Sequence, residues 1–163
     1  MIETVFVESQ IIDHPITERV LSCLPKADLL NINRYQELFN KRQQNFRLQK
    51  EKPALILAKK HDNFVLPAPS GFGMDSQKNF YFSHMYNCIY DCRYCFLQGM
   101  YSSANYVIFV NFEDFFDEIE QSIKANGGQD ITFFSGYDCD SLAFENITGF
   151  AESILPLFKS YPK

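Results

Sequence analysis

Apolar and polar side chains alternate through VFVES, residues 5–9, which predicts a short half-buried strand. In HPITERVLSCLP the apolar positions recur at helical spacing. Pro15 suits a first helical turn, whose N–H groups have no partner inside the helix, and Pro25 ends the helix. Residues 29–32 predict a second strand. RYQELFNKRQQNFRLQKEK reads as a helix running up to Pro53, ALILAKK as a buried strand, and NFVLP as a candidate partner strand. The run PAPSGFGMDSQ, dense in turn-forming residues, is the clearest linker. It divides the chain into an N-terminal α/β subdomain, residues 1–78, and a second unit, residues 79–163.

NFYFSHM predicts a strand that leads straight into a group of cysteines, and YVIFV predicts another strand just after it. Asn111 then stands where a helix N-cap belongs. In FEDFFDEIEQSIKANGG, Glu113 and Asp114 meet the positive end of the helix dipole, and Gly127 and Gly128 are C-cap candidates. Phe112, Phe115, Phe116, Ile119 and Ile123 form one apolar stripe along it. DITFFS predicts a strand, and LAFENITGFAESILPLFKSYPK predicts a helix interrupted at Pro156. Strands alternating with helices of this length give an α/β chain built on parallel βαβ units. No internal repeat breaks that order.

A hydrophobic share of 46% over 163 residues is enough for a packed core, and seventeen Phe against no Trp make that core phenylalanine-rich. No apolar run is long enough to span a membrane. The first residues, MIETVFVESQ, lack a basic and then apolar leader, so a cytoplasmic location is expected. The net charge of -5 is unevenly spread. Residues 1–33 carry -3, residues 34–60 carry +6 and residues 61–163 carry -8. The basic stretch reads either as an anion-binding face, for instance for a nucleic-acid backbone, or as the solvated face of an amphipathic helix.

Five cysteines are an odd number, and three of them, Cys88, Cys92 and Cys95, crowd into CIYDCRYC on a loop leaving a strand. That layout suits a metal or cluster site better than disulfides. Thiolates at this spacing can bind three irons of a 4Fe-4S cubane and leave the fourth iron open. With Tyr94 just before the last cysteine, the segment carries the signature of radical S-adenosylmethionine enzymes. Zinc is the alternative, with His84 completing a tetrahedron of one imidazole and three thiolates. Cys23, on the first helix, is expected in the core.

The segment FYFSHMYNCIYDCRYCFLQGMYSSANYVIFVNFEDFF resembles the spore photoproduct lyase family of radical S-adenosylmethionine proteins, through Phe96, Leu97, Gln98, Val110, Asn111 and Asp114 after the cysteines. VFVES, QNFRLQKEKPALILAKK and the proline-rich linker are similar to that family's N-terminal region. The resemblance implies a small N-terminal α/β subdomain followed by the first βα units of a partial, truncated radical S-adenosylmethionine (β/α) barrel. It implies a 4Fe-4S cluster and S-adenosylmethionine as cofactors, and cleavage of the sulfonium by one electron to start radical chemistry. A nucleic-acid substrate carrying a thymine lesion, and an electron donor such as flavodoxin or ferredoxin, are implied with it. Tyr94 would flank the adenine, and the strand end from Ser135 to Asp140 would line the S-adenosylmethionine site. Two departures from the family pattern bear on the last step. Phe96 stands where the family has a relay tyrosine. The hydrogen-donor region reads FFSGYDCDS, which puts Tyr137 or Asp138 opposite the family's donor cysteine and leaves Cys139 one or two places late. Cys139 and Tyr137 are therefore rival donors, and Cys139 reads equally well as a buried small hydrophobe. The rival function is a non-catalytic zinc-binding module that contacts nucleic acid. A barrel of the usual kind needs about six βα units, so 163 residues are expected to be a fragment, inactive alone.

Overall fold

Leu55, Ile56, Leu57 and Ala58 are each completely buried, which a strand achieves only when both of its faces are covered. They form the central strand in a computed structural model of the chain that describes residues 2–69, 71–74, 78–127 and 129–162. The C-cap candidate Gly128 and residues 70 and 75–77 of the predicted linker lie outside the described residues. In chain order the elements are β1 (Thr4–Glu8), α1 (Pro15–Ser22), β2 (Asp28–Ile32), α2 (Phe46–Glu51), β3 (Leu55–Ala58), β4 (Leu66–Pro67), β5 (Lys78–Phe82) and β6 (Met85–Tyr86). There follow α3 (Leu97–Met100), β7 (Tyr106–Phe109), α4 (Phe112–Ala125), β8 (Ile131–Ser135), α5 (Glu145–Thr148) and α6 (Phe150–Ser160).

The fold is α/β with mostly parallel strands. One sheet runs β2-β1-β3-β7-β6, parallel except for the short β6; the other runs β4-β5-β8, with β5 and β8 parallel. Along β3 and β7 successive side chains leave opposite faces. Leu55, Leu57, Tyr106 and Ile108 pack with Val20 of α1 and with Phe144 and Ile147 at α5. Ile56, Ala58, Val107 and Phe109 pack with Phe112, Phe115 and Ile119 of α4 and with Phe150 and Ile154 of α6. The phenylalanine-rich interior is this second layer. β7 follows residue 78 in the chain and still pairs with β3, so one sheet draws on both sides of that position.

Several local expectations are corrected. The basic stretch is not one helix: it makes a 3-10 turn at Tyr35–Glu37, a loop, and the six-residue α2. Asn40 and Gln43 take positive φ in that loop, which breaks a helix, and Asn45 caps α2 by accepting from Leu48 N–H. NFVLP shrinks to β4 and pairs with β5 rather than β3. The last helix breaks at Gly149, in the left-handed region at φ 67°, and runs through Pro156 without interruption. Asn111 does not cap α4 with its side chain; it bonds Lys60 on both backbone groups and Asp114 instead. Cys23 is exposed: it is the C-cap of α1, and its neighbours Leu21 and Leu24, not Cys23, pack against the core.

Candidate functional site

In parallel sheets the loops that build sites leave the carboxyl ends of strands. Phe82 and Ser135 are register partners at the ends of β5 and β8; from there one segment runs through β6 into the cysteine loop and the other enters the loop from Gly136 onward. Three hydrogen bonds tie them. Asp138 N–H donates to Ser83 Oγ at 3.0 Å, Asn87 N–H donates to Asp138 O at 3.0 Å, and Tyr101 O–H donates to Asp138 Oδ1 at 2.9 Å. Asn87 is buried at φ 64°, and its amide donates to Ser103 O and Asn105 O, closing the loop's base. Gln98 braces the loop from inside, donating to Cys92 O and to Asp91 Oδ1, both at 2.9 Å.

All five thiols are free. Cys88 and Cys95 are half-buried and line a small recess with Phe46, Lys50, Tyr90 and Gln98, whereas Cys92 is exposed. The three sulfurs do not converge: among the described residues no three His, Cys, Asp or Glu side chains are grouped to hold a metal ion. The donor chemistry nevertheless fits an iron-sulfur cluster, because three soft ligands, none of them in a disulfide, share one short surface loop. It does not fit the proposed zinc tetrahedron. His84 lies in the core, its ring stacked on Phe150 at 3.8 Å, and both ring nitrogens lack a partner. Burial pushes its pKa down to about 3.

Beside the cysteine loop the end of β8 opens into an apolar cleft of about 340 Å³, walled by Tyr81, Phe96, Ser135, Gly136, Tyr137 and Phe72. Gly136 is required by shape as well as by its φ of 85°: a Cβ there would meet Cys139 O at 2.7 Å and Ser141 N at 2.9 Å. Tyr137 reaches the cleft with its ring 4.7 Å from Tyr81 and 6.0 Å from Phe96. Cys139 faces the other way, into the core with Met85 and Ile108, and burial raises its thiol pKa. Asp140 is exposed and accepts from Leu142 N–H. Tyr94 is 94% exposed, so it is no packing residue of this chain. The structure thus brings Phe96, Ser135 and Tyr137 together and leaves Cys139 apart. Ser83 and Tyr101, which hold Asp138, carry no signal in the sequence beyond their polarity beside apolar strands. Burial, then the charge and hydrogen bond of Asp138, raise the Tyr101 pKa and keep the phenol neutral.

Comparison with known protein families, and with curated proteins, finds no match. The fold does match solved structures. A spore photoproduct lyase variant with bound AdoMet and dinucleoside spore photoproduct superposes with a TM-score of 0.78 at 13% identity, over 97% of this chain and 46% of that one. Spore photoproduct lyase complexed with dinucleoside spore photoproduct gives 0.76 at 12% identity over the same shares. The chain therefore spans about half the length of the structures it matches, and at this identity the likeness establishes that it shares the fold of that half.

Proposed function

We propose that the chain carries the N-terminal subdomain, residues 1–78, and the first βα units of a radical S-adenosylmethionine enzyme that repairs a lesion in a nucleic acid. The observation that supports it best is the placement of three free thiols on the loop that follows β6, next to an apolar cleft at the end of β8. Cys88, Cys92 and Cys95 would hold a 4Fe-4S cluster, which supplies the electron that cleaves S-adenosylmethionine and so starts radical chemistry. The chain's own residues do the rest. Gln98 fixes the backbone carbonyl of Cys92, and Asn87 fixes the base of the loop, so the thiolates start from one frame. Tyr94 offers an open aromatic face to the adenine, and Ser135 and Asp140 offer polar groups at the strand end. The apolar walls of the cleft exclude water from a reactive radical. Of the two rival hydrogen donors, Tyr137 holds its phenol at the cleft wall, whereas Cys139 would have to leave the core. A cytoplasmic setting would keep these thiols reduced, with a flavodoxin or ferredoxin as electron source.

Anaerobic reconstitution with iron and sulfide tests the reading. Wild type and Cys23→Ala should bind iron and turn brown, and Cys88→Ala, Cys92→Ala and Cys95→Ala should each lose the cluster, since a three-thiolate site has no spare ligand. Equal iron in all five proteins would remove the assignment. A colourless protein that takes up zinc would favour the rival, against the buried position of His84.

A further inference from the structure

We infer that the surface made by residues 41–47, beside the cysteine loop, is a contact face for a nucleic-acid backbone. The inference takes from the proposed function only its class of substrate. Residues 34–60 hold eight basic and two acidic side chains, yet most of the cations on the two strand-proximal ends are engaged. Lys52 pairs with Glu3, Arg34 contacts His61, and Lys60 is half-buried over the rings of Tyr86 and Phe109. Lys41, Arg42 and Arg47 are exposed and form no ion pair among the described residues.

Their backbone is fixed by side chains rather than by a helix. Gln44 accepts from Lys41 N–H at 2.9 Å and donates to Leu38 O at 2.6 Å, which holds a turn that already contains the left-handed Asn40 and Gln43. The same segment is fastened to the chain just after the cysteine loop. Ser102 N–H donates to Asn40 Oδ1 at 2.9 Å, and Ala104 N–H donates to Gln49 Oε1 at 2.9 Å. Lys50 reaches Asp91 of the cysteine loop at 3.7 Å, and Phe46 and Lys50 share the recess that Cys88 and Cys95 line. The free cations therefore border the loop that bears the thiols. That loop adds the exposed rings of Tyr90 and Tyr94. Cations that track phosphates supply the salt-dependent, sequence-independent part of binding to a nucleic-acid backbone. The flanking regions carry -3 and -8, so a polyanion is repelled elsewhere and drawn to this border, which also orients it toward the cleft.

The test is fluorescence anisotropy of the full-length protein with a labelled, undamaged DNA duplex, over about 50 to 200 mM salt. The double variant Arg42→Glu, Arg47→Glu should weaken binding by about tenfold or more and flatten the slope of log K against log salt by about two, one unit per lost phosphate contact. The double variant Lys26→Glu, Lys159→Glu makes the same change in net charge at two other exposed positions and should bind as wild type. Equal losses in both variants, or no loss in either, would overturn the inference. Cys88→Ala separates the two readings: it should lose iron and keep the duplex. A protein that never takes up iron but binds the duplex through Arg42 and Arg47 would sink the proposed function alone. One that loads iron and binds independently of those arginines would sink the surface alone.

Discussion

His84 is buried with two ring nitrogens unpaired, and its ring stacks on Phe150 and meets Phe112 edge-on. In the unfolded chain an imidazole takes up a proton below about pH 6.5, whereas in the fold it does so only near 3. Above about pH 6.5 both states are neutral and the group has no pH-dependent effect. Below it the unfolded state alone gains a proton, so stability falls as the pH drops toward 3. His84→Phe keeps the stack and removes the unpaired nitrogens. It should raise unfolding free energy by about 1–3 kcal/mol at pH 7.5, and by about 2 kcal/mol more at pH 5. Urea unfolding at the two pH values checks this, and a variant that tracks wild type at both would refute it. Gly136 makes the opposite prediction. Gly136→Ala forces a Cβ against Cys139 O and Ser141 N at a left-handed φ, and should cost more than about 1 kcal/mol in thermal unfolding. An unchanged melting temperature would show that the β8 exit loop tolerates a side chain. The cysteine loop could be read from the sequence because its ligands are neighbours in the chain. The inward turn of Cys139 could not, because it depends on Met85 and Ile108 arriving from other strands.

Elements were legible where their own residues decide them. β1, β3, β7 and β8 follow from alternation or unbroken apolar runs, and α1 and α4 from Pro15 and the Phe112-to-Ile123 stripe. The basic stretch misled because polar residues at helical spacing also fill a loop pinned by Asn40, Gln44 and Asn45, whose side chains compete for the backbone. Sheet membership was not legible at all. β7 returns to β3 rather than to β5, and one side chain fastens that return: Asn111 Oδ1 accepts from Lys60 N–H and its Nδ2 donates to Lys60 O, both at 2.9 Å. Asn111 joins the exits of β3 and β7 in the way an extra ladder rung would. Asn111→Ala should therefore cost about 1–3 kcal/mol by leaving half-buried backbone groups unpaired, and Asn111→Asp, which turns the donor to Lys60 O and Asp114 into a buried carboxylate facing the Asp114 carboxylate at 2.6 Å, should cost at least as much. Chemical denaturation orders the three proteins. The alanine variant matching wild type would mean that water replaces the amide without loss.

In the molecule as a whole, the two sheets differ in how completely they are closed. The first has its central strands β3 and β7 covered on both faces, whereas β8 has a strand on one side only among the described residues. Next to that open edge lies a groove lined by Ile123, Ile131, Phe133, Phe158 and Tyr161. Apolar surface beside an unpaired strand edge invites association, and the solved structures that share the fold are about twice as long as this chain. Residues 1–163 prepared alone should therefore bind a hydrophobic dye and self-associate as concentration rises. Phe158→Glu places a charge in the groove on α6, at a half-buried residue on the rim of the second core layer rather than in its fully buried part. It should lower both signals while leaving far-ultraviolet circular dichroism unchanged. The same substitution in Leu30, a half-exposed residue of β2, an edge strand of the first sheet, reports whether that edge contributes. If Phe158→Glu leaves dye binding and association as they are and Leu30→Glu abolishes them, the exposed edge that matters is β2, and the groove beside β8 is closed well enough by α4 and α6.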